Sequence, residues 1–402
     1  MTARTRIENA PTIDYFLIIS VAALVIVGLM MVYSTTFYLG YAIHEQPTYF
    51  FVRQLIWVGL GAVALIFMAR IEYHTWLTYS IPLMAGTLLL LGIVLLFGNV
   101  KWGGQRWLFN GSVQPSELAK LSIIIYLANW LASKNEKVRQ VTYGLAPFAI
   151  LIGFVIGLIV LQRDLSTAML IGLTTLTMFF IAGGTVWQMI ASGIVGGITL
   201  TLLITRSPYR LARVTAFLDP FNDTLGQNYQ IQQILIALGS GGTTGIGLGA
   251  SRQKFGAIPA AHTDGIFAIL GEELGLIGGL IVIGLFAFLA YRGFRISLAA
   301  PDTFGVILAA GVTCSLIFQA LINIGVVTAS LPFTGIPLPF ISFGGSSMLM
   351  SMASVGLLLS ISRRPPPRQD MSATPTPRTG GILRRWQQNG QAAKVRRRSK
   401  AV

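Results

Sequence analysis

The sequence predicts an all-α polytopic membrane protein, with about ten transmembrane helices and a long extracytoplasmic loop between the seventh and eighth. Three observations carry that expectation. Fifty-three per cent of the 402 residues are hydrophobic and only 11% are charged, against roughly a quarter charged in a soluble domain. The chain runs apolar again and again for about 20 residues, the length a helix needs to cross the hydrocarbon core. It lacks the alternating segments of about ten residues that mark a membrane β-barrel.

The apolar runs fall near 13–35, 50–69, 76–97, 115–132, 144–161, 166–183, 186–205, 265–291, 304–327 and 344–362. The first is too long for a signal-peptide core and lacks a small-x-small cleavage site, so it reads as a retained span. An even number of spans places both termini on one side. The positive-inside rule makes that side cytoplasmic, because Arg4, Arg6, Arg70, Lys134, Lys137, Arg139, Arg292 and Arg295 then lie in inner segments. The opposing basic residues sit mainly in the long loop, and long loops weigh little in that rule.

Residues 1–12 read as a cytoplasmic N-terminus, 13–364 as the membrane domain and 365–402 as a disordered basic cytoplasmic tail. The formal charge is +15, and eleven Lys/Arg lie between Arg363 and Lys400 with Asp370 the only acid there, so this stretch carries ten of the fifteen units. A basic segment directly after a final span reads as an anchor beside anionic lipid, not as a nucleic-acid surface. Cys314 is alone, and His44, His74 and His262 show no clustered spacing, which excludes a disulfide framework and argues against zinc.

The loop at 206–264 is far longer than ordinary connections, and loops of that length are generally functional or disordered. Phe217, Phe221, Tyr229 and Phe255 argue against disorder, and Tyr229–Leu238 reads as a short amphipathic helix. Gly239–Gly249 reads as a flexible connector; the GK[ST] ending of a phosphate-binding loop is missing.

Ionisable groups in or at the mouth of spans are costly, so each is a functional candidate. Asp264 has two readings: Thr263 or Asp264 could cap the eighth span, or Asp264, flanked by His262 at the edge of low dielectric, could act as a general base. Glu272 shares a helix face with Asp264 and reads chiefly as a structural partner. Glu117 and Lys120, three apart, read as a local ion pair, with Asp164 an alternative partner for Lys120. Arg106, Arg210, Arg213, Arg252 and Lys254 suit an anionic headgroup, above all a pyrophosphate. The stretch from Leu331 to Ser347, with three prolines, reads as non-helical backbone lining a cavity. Within it Ser342 is a candidate contact, and Ser346 and Ser347 read as caps of the tenth span.

Together these motifs resemble the SEDS family of bacterial cell-wall proteins (FtsW, RodA and SpoVE). The matching pieces are Tyr33-Ser34-Thr35, Arg106-Trp107, Gln114-Pro-Ser-Glu117-Leu-Ala-Lys120, Asp164-Leu-Ser-Thr167, Gly226-Gln227, Ser251-Arg-Gln-Lys-Phe255, His262-Thr-Asp264, Gly271-Glu-Glu-Leu-Gly275 and Gly335-Ile-Pro-Leu-Pro-Phe-Ile-Ser-Phe-Gly-Gly-Ser-Ser347. Two of them look closer to FtsW and SpoVE than to RodA.

The resemblance implies a peptidoglycan glycosyltransferase in the bacterial cytoplasmic membrane. Such an enzyme polymerises lipid II onto an undecaprenyl-pyrophosphate-linked glycan. A class B penicillin-binding protein, other division or elongation proteins and membrane lipid would be its partners. The family's essential Asp falls on Asp264, Gln227 joins the candidate substrate contacts, and a divalent cation (Mg or Mn) could assist the leaving group. The chain departs from the family at Arg163, usually Pro; at Ser166, usually Gly; at Ala260, usually acidic; and at Gly265, often an apolar aromatic. A lipid II flippase and a non-catalytic division scaffold are the rival readings. The gathering of ionisable groups on the outer half favours a one-sided enzyme.

Overall fold

The computed structural model describes residues 13–101, 104–107, 114–219, 227–256, 258 and 260–363. The expected N-terminal segment 1–12 and the basic tail 365–402 lie outside the described residues.

Among the described residues twelve α-helices follow one another: α1 Tyr15–His44, α2 Tyr49–Arg70, α3 Thr75–Phe97, α4 Pro115–Lys134, α5 Ala146–Leu161, α6 Leu165–Ile181, α7 Val186–Thr205, α8 Pro208–Leu218, α9 Gln227–Gly241, α10 Ile266–Ala299, α11 Thr303–Val327 and α12 Gly345–Ser362. Seven of them, and α5 taken together with the helical turn Val141–Leu145 that precedes it, are long and apolar enough to cross a membrane. The apolar α6 is slightly short for that criterion, and α4 carries Glu117, Lys120 and Lys134. These two stand where the other two of the ten expected spans fall. The starts are chemically marked. Asp14, Asp164 and Asp302 accept backbone N–H groups at the heads of α1, α6 and α11, and Thr185 with Gln188 forms a capping box for α7.

Contacts at the helix ends sort the molecule into two faces. At one, Arg292 grips Asp14 at 2.6 Å and Tyr73 bonds Asp302. At the other lie the α1–α2 and α5–α6 turns, the end of α3 and the start of α4, the described parts of the long 206–265 segment, and the 328–344 segment. We call the second the loop face. The core runs around α11, whose most apolar stretch is 78% buried against 6% for α7; α7 stands at the edge of the bundle.

The loop face is more ordered than the sequence suggests. A short antiparallel hairpin, Asn99–Lys101 (β1) with Gly104–Trp107 (β2), follows α3 and presents Arg106. The expected amphipathic helix is α9, and α8 precedes it; Pro208 at the first turn of α8 is the usual helix-starting position.

The Gly239–Gly249 stretch corrects an expectation, for it is fixed by hydrogen bonds. α10 breaks at Gly275 (φ 70°, ψ −169°), which leaves neighbouring backbone groups without helical partners. The glycine-rich stretch supplies them. Ile246 and Gly247 donate to the carbonyls of Glu272 and Glu273 at 3.0 and 3.1 Å, and Leu276 and Ile277 donate to Gly242 and Thr243 at 3.0 and 3.1 Å. Backbone polar groups away from water must be paired, so the break and the loop satisfy each other. A Cβ on residue 275 would stand 2.3 Å from the Gly245 nitrogen.

Gly275→Ala is therefore expected to cost about 2 kcal/mol or more, from left-handed strain plus the clash. Detergent-phase melting should fall, and hydrogen exchange at Ile246 and Gly247 should accelerate; an unchanged melt would contradict the interlock.

Candidate active site

Asp264 stands just ahead of α10, whose N-cap is Gly265, with no side-chain cap bond. The capping reading of Thr263 and Asp264 is thereby corrected: the Asp264 carboxylate is not committed to the helix end. Its backbone is held firmly. Asn323 on α11 donates through Nδ2 to the Asp264 carbonyl at 3.0 Å and to the Ile336 carbonyl at 2.7 Å. Ser342 donates to the Thr263 carbonyl at 2.6 Å and accepts the Leu338 N–H at 2.8 Å, and Phe343 donates to the His262 carbonyl at 2.9 Å. The 262–264 turn is thus stitched to the proline-rich 335–343 segment.

The half-buried Asp264 carboxylate lies against Gly335, which has φ +67°; a Cβ there would come within 3.1 Å of Asp264 Oδ2. Desolvation raises its pKa to about 6, and the charge of Asp164 adds to that, while Arg106, Arg213 and the Thr263 hydroxyl beside it pull the other way. Four sequence candidates therefore share one electrostatic neighbourhood: Asp264, Arg106, Arg213 and Asp164. Burial lowers the pKa of His262, so its imidazole is neutral at neutral pH, and its ring packs with Phe50 and Phe343.

Each arginine has its own anchor. Arg106 Nη1 lies 3.6 Å from Asp164 Oδ1, while Asp164 also accepts Gln114 Nε2 at 3.0 Å and caps α6 through the Thr167 N–H. Arg213 on α8 donates to the Phe333 carbonyl at 3.3 Å and bonds the Tyr209 hydroxyl. Its guanidinium lies over the Tyr209 and Phe333 rings, 4.6 and 5.4 Å from their centroids. A cavity of about 180 Å³ opens there, lined by Tyr209, Arg213, Ala216, Gln230, Ile231 and Phe333.

The other candidates lie elsewhere. Lys120 pairs with Glu117 at 2.8 Å and donates to Gln319 Oε1 at 2.6 Å, so the local pair is the arrangement formed and Asp164 goes to Arg106 instead. Lys254 is drawn into a buried set with Glu273 at 3.0 Å and Ser34 at 3.1 Å. Glu272 accepts the Ser251 hydroxyl and, at 3.0 Å, the Arg252 N–H; the Arg252 side chain is exposed. These bonds tie the 251–254 segment to α10 and α1. Arg210 bonds the Leu203 carbonyl at 3.1 Å, closing α7. Ser346 and Ser347 are buried in the first turn of α12, but the cap is Gly344, which has no side chain to offer and whose N–H is taken by Gln54 at 3.3 Å; the capping expectation for the two serines is corrected. The Gln227 side chain lies outside the described residues. Among the described residues no three His, Cys, Asp or Glu side chains gather as a metal site. The donors around Asp264 are its own carboxylate and that of Asp164, the latter already paired with Arg106, with a second arginine nearby, a poor fit to a divalent cation.

Three residues that hold the site escaped the sequence reading: Gln54, Gln319 and Asn323. All are buried. Their signal was an amide side chain inside an apolar span, and Gln319 and Asn323 are four apart, on one helix face.

A helical bundle with an uncommitted carboxylate and two arginines at one face defines a multi-pass membrane protein with a one-sided polar site. Comparison with known proteins makes the class specific. The family described as Cell cycle protein (FtsW, RodA and SpoVE) matches residues 15–365. The stage V sporulation protein E of Bacillus subtilis is 40% identical over 354 residues, 87% of this chain and 97% of that protein. The probable peptidoglycan glycosyltransferase FtsW of Trichlorobacter lovleyi is 39% identical over 356 residues, covering 87% of this chain and 93% of that one. The chain belongs to the FtsW/RodA/SpoVE family. Among solved structures, a chain from a study of polymerisation and crosslinking by a peptidoglycan synthase complex aligns with TM-score 0.72 and 30% identity, over 88% of this chain and 98% of that one. The rod shape determining protein RodA of Thermus thermophilus gives 0.66 and 28%, over 88% and 97%.

Ionised Asp264 opposes folding. Its folded pKa lies above the unfolded value, so its contribution is neutral at low pH and becomes destabilising as pH rises from about 4 through about 6. Asp264→Asn should therefore raise stability at pH 7.5, on the order of 2 kcal/mol, with the gain shrinking toward pH 4. Melting curves at the two pH values check this, and equal gains at both would contradict it.

Proposed function

We propose that this chain is a peptidoglycan glycosyltransferase that polymerises lipid II into β-1,4 glycan strands in cell division, with Asp264 as general base. The observation that carries the proposal is the state of that carboxylate. It is unused by the helix cap, half-buried, poised near neutral pH and flanked by two arginines at one membrane face. The loop face is read as the outer one, both termini being cytoplasmic. Arg70, Lys134, Lys137, Arg139, Arg292 and Arg295 on the opposite face support that orientation. The membrane is then the bacterial cytoplasmic membrane.

The lipid tails stay in the bilayer and the sugar–pyrophosphate heads enter beneath the 206–265 segment. Asp264 takes the proton of the acceptor GlcNAc 4-hydroxyl. The oxygen attacks the anomeric carbon of the lipid-linked strand, and the bond from that carbon to the pyrophosphate oxygen breaks. Undecaprenyl pyrophosphate leaves with the bonding pair. Attack opposite the leaving group inverts the centre and gives the β linkage. Arg106 and Arg213 offset the charge that develops on the pyrophosphate. Their carboxylate and carbonyl anchors hold them in place before substrate arrives. The desolvated setting makes the carboxylate more basic than an ordinary Asp, while Arg106 and Arg213 hold its pKa down to about 6 so that it is still ionised at neutral pH. A class B penicillin-binding protein is the proposed crosslinking partner, supported by the synthase-complex relative.

With purified full-length protein in lipid vesicles, Asp264→Ala should abolish glycan formation from lipid II while the chain still folds. Wild-type activity should fall on acidification with a midpoint near 6. Polymerisation by folded D264A, or lipid II scrambling without polymer, would overturn the proposal.

A further inference from the structure

Asp264 is reached through a chain of side-chain amides on α11. Gln319 and Asn323, four residues apart on one helix face, grip consecutive carbonyls of the proline-rich segment. Gln319 Nε2 donates to Pro337 at 2.9 Å, and Asn323 Nδ2 donates to Ile336 at 2.7 Å and to Asp264 at 3.0 Å. Both amides are oriented by chemistry. Lys120, a pure donor, claims Gln319 Oε1 at 2.6 Å, which turns the Gln319 NH2 toward Pro337. Two carbonyl oxygens flank one end of Asn323, and only an NH2 can serve both. Lys120 in turn is balanced by Glu117 at 2.8 Å. Gly335, one residue ahead of the gripped pair, lies on the Asp264 carboxylate.

We infer that Asn323 and Gln319 are positioning residues of the active site: they hold the peptide of residue 264 and the 335–337 backbone in one register, with the buried Glu117–Lys120 pair setting the orientation of the grip. The inference rests on Asp264 acting as base. Burial and partners support it. Asn323 and Gln319 are 1% and 2% exposed, and Asn323 Oδ1 is buried without a hydrogen-bond partner. What Asn323 supplies is the two-pronged donor. Glu117 and Lys120, which the sequence reads as a local ion pair, form the far end of the grip.

The test is lipid II polymerisation by the full-length chain in vesicles, with kcat, KM and the pH profile measured. Asn323→Ala should lower kcat on the order of 100-fold while KM changes by less than about twofold. The acid midpoint should move down toward an ordinary carboxylate value as water reaches residue 264. A loss of folded protein would instead scale the profile and leave its midpoint in place. Gln319→Glu keeps the acceptor for Lys120 and removes the donor to Pro337, so it should give the same pattern to a smaller degree. If N323A does not fold, Asn323→Asp, similar in size but without N–H donors when ionised, carries the measurement. Wild-type kcat and midpoint in the folded variants would overturn the positioning role. Asp264→Asn separates the two claims. A D264N chain that still polymerises removes the base and the positioning role with it, whereas dependence on Asp264 with indifference to Asn323 removes positioning alone.

Discussion

Non-helical backbone near a membrane interior has no water to rely on, and the protein must pair each of its polar groups. Two such stretches meet at the active site, the 242–265 segment and the 328–344 segment, and the architecture of the loop face follows from satisfying them. The break at Gly275 and the glycine-rich stretch exchange four backbone bonds. Gln54 spans the Ser342 carbonyl and the Gly344 N–H. Ser342 joins the proline-rich segment to the 262–264 turn, and Asn323 joins both to α11. Helices alone would satisfy their own backbones and leave no reason for Asp264 to sit in one place. The irregular stretches create the demand, and side chains from α2, α10 and α11 meet it.

The charges obey the same economy. Glu117 with Lys120, Glu273 with Lys254, and Asp164 with Arg106 are each closed by a counter-ion, as buried charge requires. Asp264 is the exception in this set. It feels Arg106 and Arg213, yet desolvation outweighs them and its proton affinity stays raised. A fully paired carboxylate would be a weak base, and an unpaired one deep in the bundle would stay protonated. The half-buried position between those limits leaves an ionised group that gains by taking a proton.

Hydropathy and spacing made the bundle legible, because lipid imposes length and apolarity on every span independently of packing. Clustering of ionisable residues also pointed to the loop face, and the sequence motifs to Asp264. What remained hidden depended on partners distant in the chain. Lys254 reads as a phosphate ligand in the sequence, but its ammonium is held by Glu273 and Ser34, whereas for Arg252 only the backbone N–H is tied, to Glu272, and the guanidinium is exposed. Gly239–Gly249 looked flexible because its bonding partner, the break in α10, lies some thirty residues on. α8 was overlooked because Arg210 and Arg213 interrupt its apolar pattern. Gln54, Gln319 and Asn323 carry no charge and so drew no notice, although an amide in an apolar span incurs the same demand for partners.

The positions at which this chain departs from the family pattern show how such a site tolerates change. Arg163 has φ +61°, a conformation closed to proline, whose ring fixes φ near −65°. The Arg163 N–H bonds Val160 at 3.0 Å and the Asp164 N–H bonds Ile159 at 3.2 Å, a left-handed helix ending in which proline would lose both angle and donor. Hydrogen bonds thus do here what a ring does elsewhere, and Asp164 still caps α6 and still meets Arg106. Ser166 gains a bond glycine could not make, its hydroxyl donating to the Thr334 carbonyl at 2.7 Å. That bond lands one residue before Gly335 and adds a hold from α6 to those from α11. Ala260 takes φ +54°, and its carbonyl accepts the Thr263 N–H at 3.0 Å, so the turn ahead of Asp264 is closed through the backbone without an acidic side chain. At Arg163, Ser166 and Ala260 alike, the side chain differs while backbone bonding or a new tie fixes the position, and the constraint on residue 264 survives because it is distributed over several elements.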